Sequence, residues 1–333
     1  MSAPKLDVLA IGNAIVDVLA RAEDDFLASH GMNKGGMALI DEARAEEVYG
    51  AMGAGTEISG GSAANTAVGV AALGARAGFI GKVKEDGLGK VFGHDIRAAG
   101  VAFSTPAATA GAATARCLIL VTPDGERTMN TFLGAAQDLT VADIDAAIVE
   151  SASVTYLEGY LWDPPAAKEA FLAAAKIAHK AHRKVALTLS DSFCVDRYRA
   201  EFLDLIRSGT VDLVFCNEGE LKSLYETADY DTALAQLKQD AREAVVTRSE
   251  QGASFISNAG IVRVPAYPVE RVVDTTGAGD LFAAGFLAGY TTGLEPAESL
   301  RLGALAAGEI ISQLGARPQR NLLDLAREGG LLS

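Results

Sequence analysis

The sequence is poor in cysteine and histidine, with three cysteines and four histidines among 333 residues. Cys117, Cys194 and Cys216 lie far apart, each within or beside an apolar run, and none belongs to a C-x-x-C pair. His179 and His182 are three residues apart, but neither has an acidic or cysteine neighbour. These absences argue against a disulfide framework and a histidine-based metal centre. They predict reduced, mostly buried thiols in a cytoplasmic protein.

Positive charge is also scarce, because 29 lysines and arginines face 43 aspartates and glutamates and the formal net charge is -14. The sequence shows no basic stripe for a nucleic-acid backbone, no apolar run suited to a membrane span, and no signal peptide. We therefore expect neither nucleic acid nor a membrane as partner. A phosphate-bearing ligand would need local backbone N–H groups and a divalent cation.

Two common nucleotide-binding fingerprints are missing as well. The glycine pair before the helix pattern at Thr66 fits neither G-x-G-x-x-G nor G-x-x-x-x-G-K-[ST]. Gly87 and Gly89 come close to the first pattern, but the third glycine, Gly93, arrives one residue late. The sequence therefore predicts neither a dinucleotide fold nor a Walker loop.

What the chain does contain is the stretch DTTGAGD, from Asp274 to Asp280, which we expect to close a β-rich segment (261–273) and run into an apolar helix. Two alternating glycines allow successive N–H groups to point at one spot, and the helix dipole adds positive potential. Asp280 would hold a carboxylate there as a general base. The alternative is an ordinary helix start with acidic residues that favour the dipole.

From about residue 134 onward, strand and helix patterns alternate, which predicts an α/β fold: a doubly wound, mainly parallel sheet with helices on both faces. Ligands of such sheets bind beyond the carboxyl ends of the strands. The polar residues expected at those ends are Glu158, Ser190, Asp191, Asn217, Glu220, Thr247 and Gly252. With 49% hydrophobic residues the chain can bury a sizeable core.

Two β-rich insertions interrupt this pattern, and we interpret them as one small β lid over a cleft. The predicted large α/β domain that binds nucleotide and substrate comprises residues 1–13, 46–100 and 134–333. The predicted lid comprises residues 14–45 and 101–133.

Three further features carry candidate chemistry, each with a plain structural alternative. Asp17 interrupts an apolar segment and either faces solvent or binds the hydroxyls of a polyol. Asn217 and Glu220, three apart at a helix start, either orient waters around Mg²⁺ or form a helix cap. Thr247 and Gly252 suit a phosphate-binding turn or simply a hairpin turn.

Taken in order, three motifs resemble the ribokinase-like (PfkB-type) family of carbohydrate and nucleoside kinases. The motifs are Gly60-Gly61 with Asn65, Asn217-x-x-Glu220, and Asp274-Thr-x-Gly-Ala-Gly-Asp280. The last is specific to the family, and the resemblance covers nearly the whole chain. It implies a ribokinase-like fold with a lid, and ATP and Mg²⁺ as cofactors.

The resemblance also implies a role for each matching residue. Asp280 would be the catalytic base, and the N–H groups of Gly277, Ala278 and Gly279 would stabilise the transferring phosphoryl group. The implied substrate-binding residues are Asp17, Gly60, Gly61, Asn65 and Glu158, and the implied ATP-binding residues are Asn217, Thr247, Gly252 and Gly279. Glu220 would hold Mg²⁺ through water, and Asp274, Thr276 and Gly315 fall where members that use K⁺ or another monovalent cation bind it.

Within the family the opening of the chain is most similar to adenosine kinases. Two departures bear on that similarity: Glu158 resembles the sugar-binding acid of ribokinases, and Ser249 replaces a glycine common in the T-x-G-x-x-G turn. The expected activity is ATP-dependent phosphorylation of a nucleoside hydroxyl, with adenosine as the acceptor. The alternatives are a kinase for ribose, fructose or a keto-deoxy sugar acid, and a non-catalytic metabolite sensor. The expected assembly is a monomer or a homodimer.

Overall fold

The computed structural model describes residues 5–332. Its strands are β1 (Leu6–Ile11), β2 (Ile15–Arg21), β3 (Met37–Leu39), β4 (Thr56–Gly60), β5 (Ala77–Ile80), β6 (Ala102–Phe103), β7 (Ala115–Val121), β8 (Arg127–Phe132), β9 (Ala152–Glu158), β10 (Lys184–Thr188), β11 (Leu213–Asn217), β12 (Glu243–Thr247), β13 (Ala253–Ser257) and β14 (Gly260–Val264). Its α-helices are α1 (Asp24–Ser29), α2 (Glu42–Ala51), α3 (Ser62–Ala72), α4 (Gly87–Ala98), α5 (Ala146–Ser151), α6 (Pro165–Lys180), α7 (Ser192–Arg207), α8 (Glu218–Leu224), α9 (Tyr230–Asp240), α10 (Ala278–Thr292), α11 (Pro296–Ile311) and α12 (Leu322–Glu328).

The larger sheet runs in the order β14-β13-β12-β11-β10-β9-β1-β5-β6 within the described residues. Its strands from β12 to β6 pair in parallel, and β13 and β14 add an antiparallel edge. Along β9, Val154 and Tyr156 pack into one core with α3 and α10, whereas Leu157 packs into the other core with α6. Strand side chains alternate between faces, so two helix layers cover the sheet. The predicted α/β fold is confirmed.

The smaller sheet has the order β3-β8-β7-β2-β4 in the part of the chain that the structure describes. Val16 and Val18 of β2 pack with Val48 of α2 on one face. Because successive side chains point to opposite faces, Ile15 and Asp17 project from the other face, where they line a cavity. We call this five-stranded sheet the lid, after the prediction, and its inner face is the one from which Ile15 and Asp17 reach the cavity.

The lid contains a different set of segments from the one predicted. Strand β4 pairs antiparallel with β2, although we predicted residues 46–100 to belong wholly to the large domain. Strand β6, predicted to be in the lid, pairs with β5 in the larger sheet. Both strands are short or glycine-ended, and neither shows a strand pattern in the sequence. The pairing partner, rather than the local sequence, decides where they belong.

The segment before the DTTGAGD stretch is also less regular than predicted. Strand β14 ends at Val264, so only the first part of residues 261–273 is β-structure. Pro265 and Pro268 follow and lack the N–H that a sheet ladder requires. The remaining residues approach α10 as an irregular connection. No helix among residues 5–332 combines the length and apolar character that a membrane crossing needs.

Candidate active site

A cavity of about 640 Å³ lies where the lid faces the carboxyl ends of the parallel strands. Glu158, Asn217 and Thr247, predicted to lie at strand ends, line this cavity together. Parallel pairing sets them at one edge, with Asn217 opposite Thr247 and Thr188 opposite Glu158. The start of α10 forms the centre of the floor, from Thr275 to Asp280. The chain thus gathers most of its predicted site residues around one cleft.

The start of α10 has the geometry expected of an anion-binding turn. Gly277 is the residue before the helix, with a left-handed φ of 78°, and a Cβ there would lie 2.8 Å from the Cβ of Ala316. Gly279 faces open space, since a Cβ added there meets no atom within 4 Å. Among the described side chains none caps this helix. Its first turn is therefore accessible to a ligand, although the N–H of Ala278 donates to the carbonyl of Thr275 at 3.2 Å.

Asp280 is fixed from both sides of its carboxylate. The hydroxyl of Ser62 donates to Oδ1 at 2.6 Å, and Nδ2 of Asn65 donates to Oδ2 at 3.0 Å. Burial raises the pKa of Asp280, while the two donors and the charge of Arg317 oppose that rise. Each oxygen keeps one lone-pair direction, so the group is oriented and still able to accept a proton.

The glycine pair before α3 is required by two close approaches. A Cβ on Gly60 would lie 2.4 Å from the carboxylate of Asp17, and one on Gly61 would lie 2.3 Å from the carbonyl of Asn13. Gly61 also has a φ of 95°, which side-chain-bearing residues rarely adopt. The two glycines let Ser62 reach the cavity and leave room for the carboxylate of Asp17 beside Gly60. Gly60 itself does not line the cavity, in contrast to Gly61 and Asn65.

Asp17 projects from β2 into the cavity, half-buried between the lid and the floor. Burial raises its pKa to about 6, and the nearby positive charges of Arg317 and Arg127 limit the rise. A carboxylate in this position, facing Asp280 across the cavity, suits an acceptor that offers hydroxyl groups. The structure places Asp17 in the lining of the cavity, and its substrate-binding role stays a prediction.

Glu158 has a different environment from the one we predicted for a sugar-binding acid. Its Oε1 accepts from the N–H and the Nδ2 of Asn13, at 3.2 and 2.6 Å, and its Oε2 accepts from the N–H of Ala63 at 2.8 Å. The residue is 1% exposed, and burial raises its pKa to about 7. The carboxylate therefore ties the turn after β1 to the start of α3. That bonding leaves it little capacity for a ligand.

Asn217 and Glu220 form a reciprocal cap at the start of α8. Glu220 accepts from the N–H and Nδ2 of Asn217, and the N–H of Glu220 donates to Oδ1 of Asn217 at 2.9 Å. Burial raises the pKa of Glu220 to about 7. Both residues line the cavity, so the cap and a ligand role coexist. No group of three acidic, histidine or cysteine side chains within residues 5–332 is spaced to hold a metal directly. This donor set fits Mg²⁺ held through water.

Thr247 and Gly252 bracket the turn between β12 and β13, but only Thr247 lines the cavity. A Cβ on Gly252 would lie 2.1 Å from the carbonyl of Val264, and its φ is 85°. The glycine is therefore needed for the turn to pass under β14. Ser249 in the same turn has a φ of 47°, the left-handed conformation that a glycine would adopt without strain.

The three residues predicted for a monovalent cation come together beside the cavity. Asp274 accepts from the N–H of Thr276 at 3.0 Å and from the N–H of Gly315 at 2.9 Å. A third partner was missed from the sequence: Arg127 of β8 forms an ion pair with the same carboxylate. Its sequence separation of 147 residues gave no local signal for that contact.

Sequence reasoning missed three other residues at the floor. Ser62 follows the glycine pair and could have been found there, because it is the first residue of α3. Asn13, in the turn after β1, donates from Nδ2 to Glu158, and its Oδ1 is buried without a partner among residues 5–332, as is Oδ1 of Asn65. Arg317 donates to the carbonyls of Ser59 and Ala64, which lie on either side of the glycine pair in the sequence. No local pattern around Arg317 indicates this.

The upper part of the cavity is apolar and exposed. Met37 and Leu39 of the lid are 56% and 62% exposed, and both line the cavity. Tyr160 and Phe193, which belong to the larger domain, line the same cavity and are 38% and 76% exposed. Exposed aromatic and aliphatic side chains that share one cleft indicate a place for a flat apolar group. The cavity thus has a polar, acidic floor and an apolar upper part.

Known proteins match this chain over most of its length. The model of the pfkB family of carbohydrate kinases matches residues 35–321. The structure of a probable sugar kinase from Rhizobium etli is 52% identical to this chain, with a TM-score of 0.91, and the match covers 99% of this chain and 100% of that one. The structure of the adenosine kinase from Sinorhizobium meliloti is 56% identical, with a TM-score of 0.90, and the match covers 98% of this chain and 99% of that one. Fructokinase-1 of rice is 29% identical over 234 residues, which are 68% of this chain and 72% of the fructokinase.

Proposed function

The chain belongs to the pfkB family of carbohydrate kinases, and from that premise we propose that it transfers the γ-phosphoryl group of ATP to the 5′-hydroxyl of adenosine. Membership of the family makes it a phosphotransferase that acts on a small molecule. The choice of acceptor is our inference. It rests on the shape and chemistry of one cavity.

The observation that carries the proposal is the apolar upper part of that cavity. Met37 and Leu39 from the lid line it together with Tyr160, which follows β9, and Phe193 of α7, and all four are exposed. A nucleoside would bury its base there and gain the transfer free energy of those side chains, about 25 cal/mol per Å² of apolar surface removed from water. A free sugar carries no such group. The likeness to the adenosine kinase of Sinorhizobium meliloti supports the same choice.

The floor would perform the chemistry on the hydroxyl of the bound acceptor. Asp280, oriented by Ser62 and Asn65, would take the hydroxyl proton onto a carboxylate oxygen as the oxygen attacks. The free N–H groups in the first turn of α10 would receive the charge that develops on the phosphoryl oxygens. Asp17 would accept hydrogen bonds from the other hydroxyls and hold the acceptor in line for attack.

ATP supplies the phosphoryl group and Mg²⁺ neutralises part of its charge when both are bound. We assign Asn217 and Thr247, which line the cavity at neighbouring strand ends, to the ATP side. Glu220 would hold Mg²⁺ through a water molecule, because its carboxylate oxygens already accept from Asn217. We further infer a cytoplasmic protein, which three buried free cysteines favour. We expect a monomer or homodimer.

A sugar kinase is the second candidate, because rice fructokinase-1 and the Rhizobium etli probable sugar kinase are both similar to this chain. The acid that favoured it in the sequence, Glu158, already accepts three hydrogen bonds from Asn13 and Ala63. This bonding weakens the sugar-kinase alternative. Its remaining support is the likeness to these kinases.

An acceptor panel tests the proposal. ADP release would be measured with adenosine, other nucleosides, ribose, fructose and a keto-deoxy sugar acid, each with ATP and Mg²⁺. We expect adenosine to have a kcat/KM at least about a hundredfold above that of ribose, because its base adds roughly 3 kcal/mol of binding. A free sugar that outperforms every nucleoside would reverse the assignment. Ligand binding without ADP release from any acceptor would favour the metabolite sensor.

A further inference from the structure

Asp274 is held by three donors, one of them two residues away and the other two from distant parts of the chain. The N–H of Thr276 donates to Oδ1, and the N–H of Gly315 and the guanidinium of Arg127 both donate to Oδ2. The Arg127 side chain is 9% exposed and the Asp274 side chain 8%. This is a built, nearly dry ion pair between the lid and the segment that leads into α10.

The ion pair between Arg127 and Asp274 compensates for the burial of the carboxylate. A buried carboxylate needs a partner of opposite charge, because a bare charge in this environment is costly. Arg127 is that partner, and its guanidinium neutralises the carboxylate of Asp274. A monovalent cation beside it would meet the guanidinium's own positive charge.

We propose that Arg127 supplies, at Asp274, the positive charge for which other members of the family use a monovalent cation, so that this chain transfers phosphoryl groups without K⁺. The residues predicted for that cation therefore do not fit it here. The inference rests on the kinase activity and adds its ion requirement. Because Arg127 belongs to β8, the charge is part of the lid.

The first experiment measures ADP release by the full chain with K⁺ or with tetramethylammonium at equal ionic strength. We expect the rate of the unchanged protein to differ by less than about twofold between the two salts. Arg127→Ala leaves Asp274 without its cation, and we expect it to be at least about tenfold slower in tetramethylammonium, with K⁺ restoring most of the loss.

The second experiment measures the thermal unfolding midpoint in the same two salts and needs no acceptor. An ion that binds the folded state alone raises the midpoint, so we expect K⁺ to raise that of Arg127→Ala. The midpoint of the unchanged protein should be the same in both salts. This readout stays valid if the proposed acceptor is wrong, so the two proposals fail separately.

Three variants serve as controls. Arg127→Lys keeps a positive charge and should stay indifferent to K⁺. Asp274→Asn combined with Arg127→Ala removes the carboxylate and should abolish the K⁺ response. Arg116→Ala removes another buried lid arginine, on β7, which pairs with Glu46 of α2. It should destabilise the lid without creating any response to K⁺.

Two results would overturn the inference. One is a severalfold activation of the unchanged protein by K⁺. The other is an Arg127→Ala variant that folds, yet gains neither rate nor thermal stability from K⁺. That second result would mean that Arg127 acts on something else, such as a bound anion, since its Nε is buried without a partner among the described residues. If Arg127→Ala does not fold, Arg127→Gln takes its place in both measurements.

Discussion

The floor of the cavity and its lid are built on opposite principles. On the floor, the carboxylates of Asp280 and Glu158 accept hydrogen bonds at both oxygens. Their donors are backbone N–H groups and side chains of α3 and of the turn after β1. On the lid, Met37 and Leu39 expose more than half of their surface. The groups that would perform the chemistry are preorganised by hydrogen bonds. The side chains that would contact the nucleobase are exposed until a ligand covers them. Substitutions on the floor should therefore lower kcat, and those on the lid should raise KM.

The largest expected effect comes from the floor. Asp280→Asn keeps the shape of the side chain but removes the proton acceptor, so we expect kcat to fall at least about a hundredfold with ligand binding retained. ADP release and isothermal titration of ATP and adenosine would measure the two quantities. Asp143→Asn is the matched control, because Asp143 is a buried carboxylate paired with Lys82 outside the cavity. A near-normal kcat for Asp280→Asn would contradict the preorganised floor.

The second prediction is that the floor makes stability depend on pH. Folding raises the pKa of Glu158 from 4.5 to about 7. The folded state therefore binds this proton more tightly, and the stabilisation is full below about pH 4.5 and lost as the pH rises through about 7. Glu158→Gln cannot titrate at this position. Between pH 5 and pH 8 the unfolding free energy of the unchanged protein should therefore fall by roughly 2 kcal/mol more than that of Glu158→Gln.

Urea denaturation at several pH values would measure that difference. Glu201→Gln is a suitable control, because the pKa of Glu201 is lowered by its bond from Lys168 and it titrates below this range. Parallel curves for Glu158→Gln and the unchanged protein would show that burial of Glu158 does not drive the pH dependence.

The third prediction concerns the lid. Leu39→Ala shortens an apolar side chain on β3, and we expect the KM for adenosine to rise about threefold to tenfold with kcat nearly unchanged, since part of a leucine's burial energy is lost. Steady-state kinetics would separate the two constants. Val141→Ala, on an exposed residue outside the cavity, should change neither. A fall in kcat with unaltered KM would contradict the division between floor and lid.

The smallest effect is expected beside the floor, in the turn that follows β12. Ser249→Gly removes left-handed strain but gives the unfolded chain more freedom, and the two nearly cancel. We expect the unfolding free energy to rise by less than about 1 kcal/mol and kcat to stay the same. Thermal denaturation would measure this. Ser257→Gly, in a strand, should instead destabilise the protein by about 0.5 to 1 kcal/mol.

Local sequence was enough for the features that depend on periodicity and on glycine. Alternating strands and helices predicted the α/β layer, and parallel strands necessarily bring Glu158, Asn217 and Thr247 to one edge. The glycines at 61 and 277 predicted helix starts, and the structure begins α3 and α10 directly after them. In each case a few adjacent residues determine the structure.

The features that sequence could not predict depend on distant partners. Glu158 turns toward Asn13 and Ala63 because they offer unpaired donors in a buried place, and nothing in its own strand indicates that. The contact of Arg127 with Asp274 joins the lid to the segment before α10. Strand β4 belongs to the lid because β2 offers it an edge. Long-range pairing, rather than propensity, decides each of these.

The parallel pairing of β2 with β7, with Ile15 opposite Ala115, makes the lid a product of two separate parts of the chain. Neither part can close the sheet without the other, and β4 returns from it directly into the glycine pair before α3. A chimera that transplants residues 115–132 alone from a kinase with another acceptor would leave β2 with a foreign neighbour. We therefore expect an exchange of acceptor preference to require replacement of both matched segments, residues 15–21 and 115–132, at once.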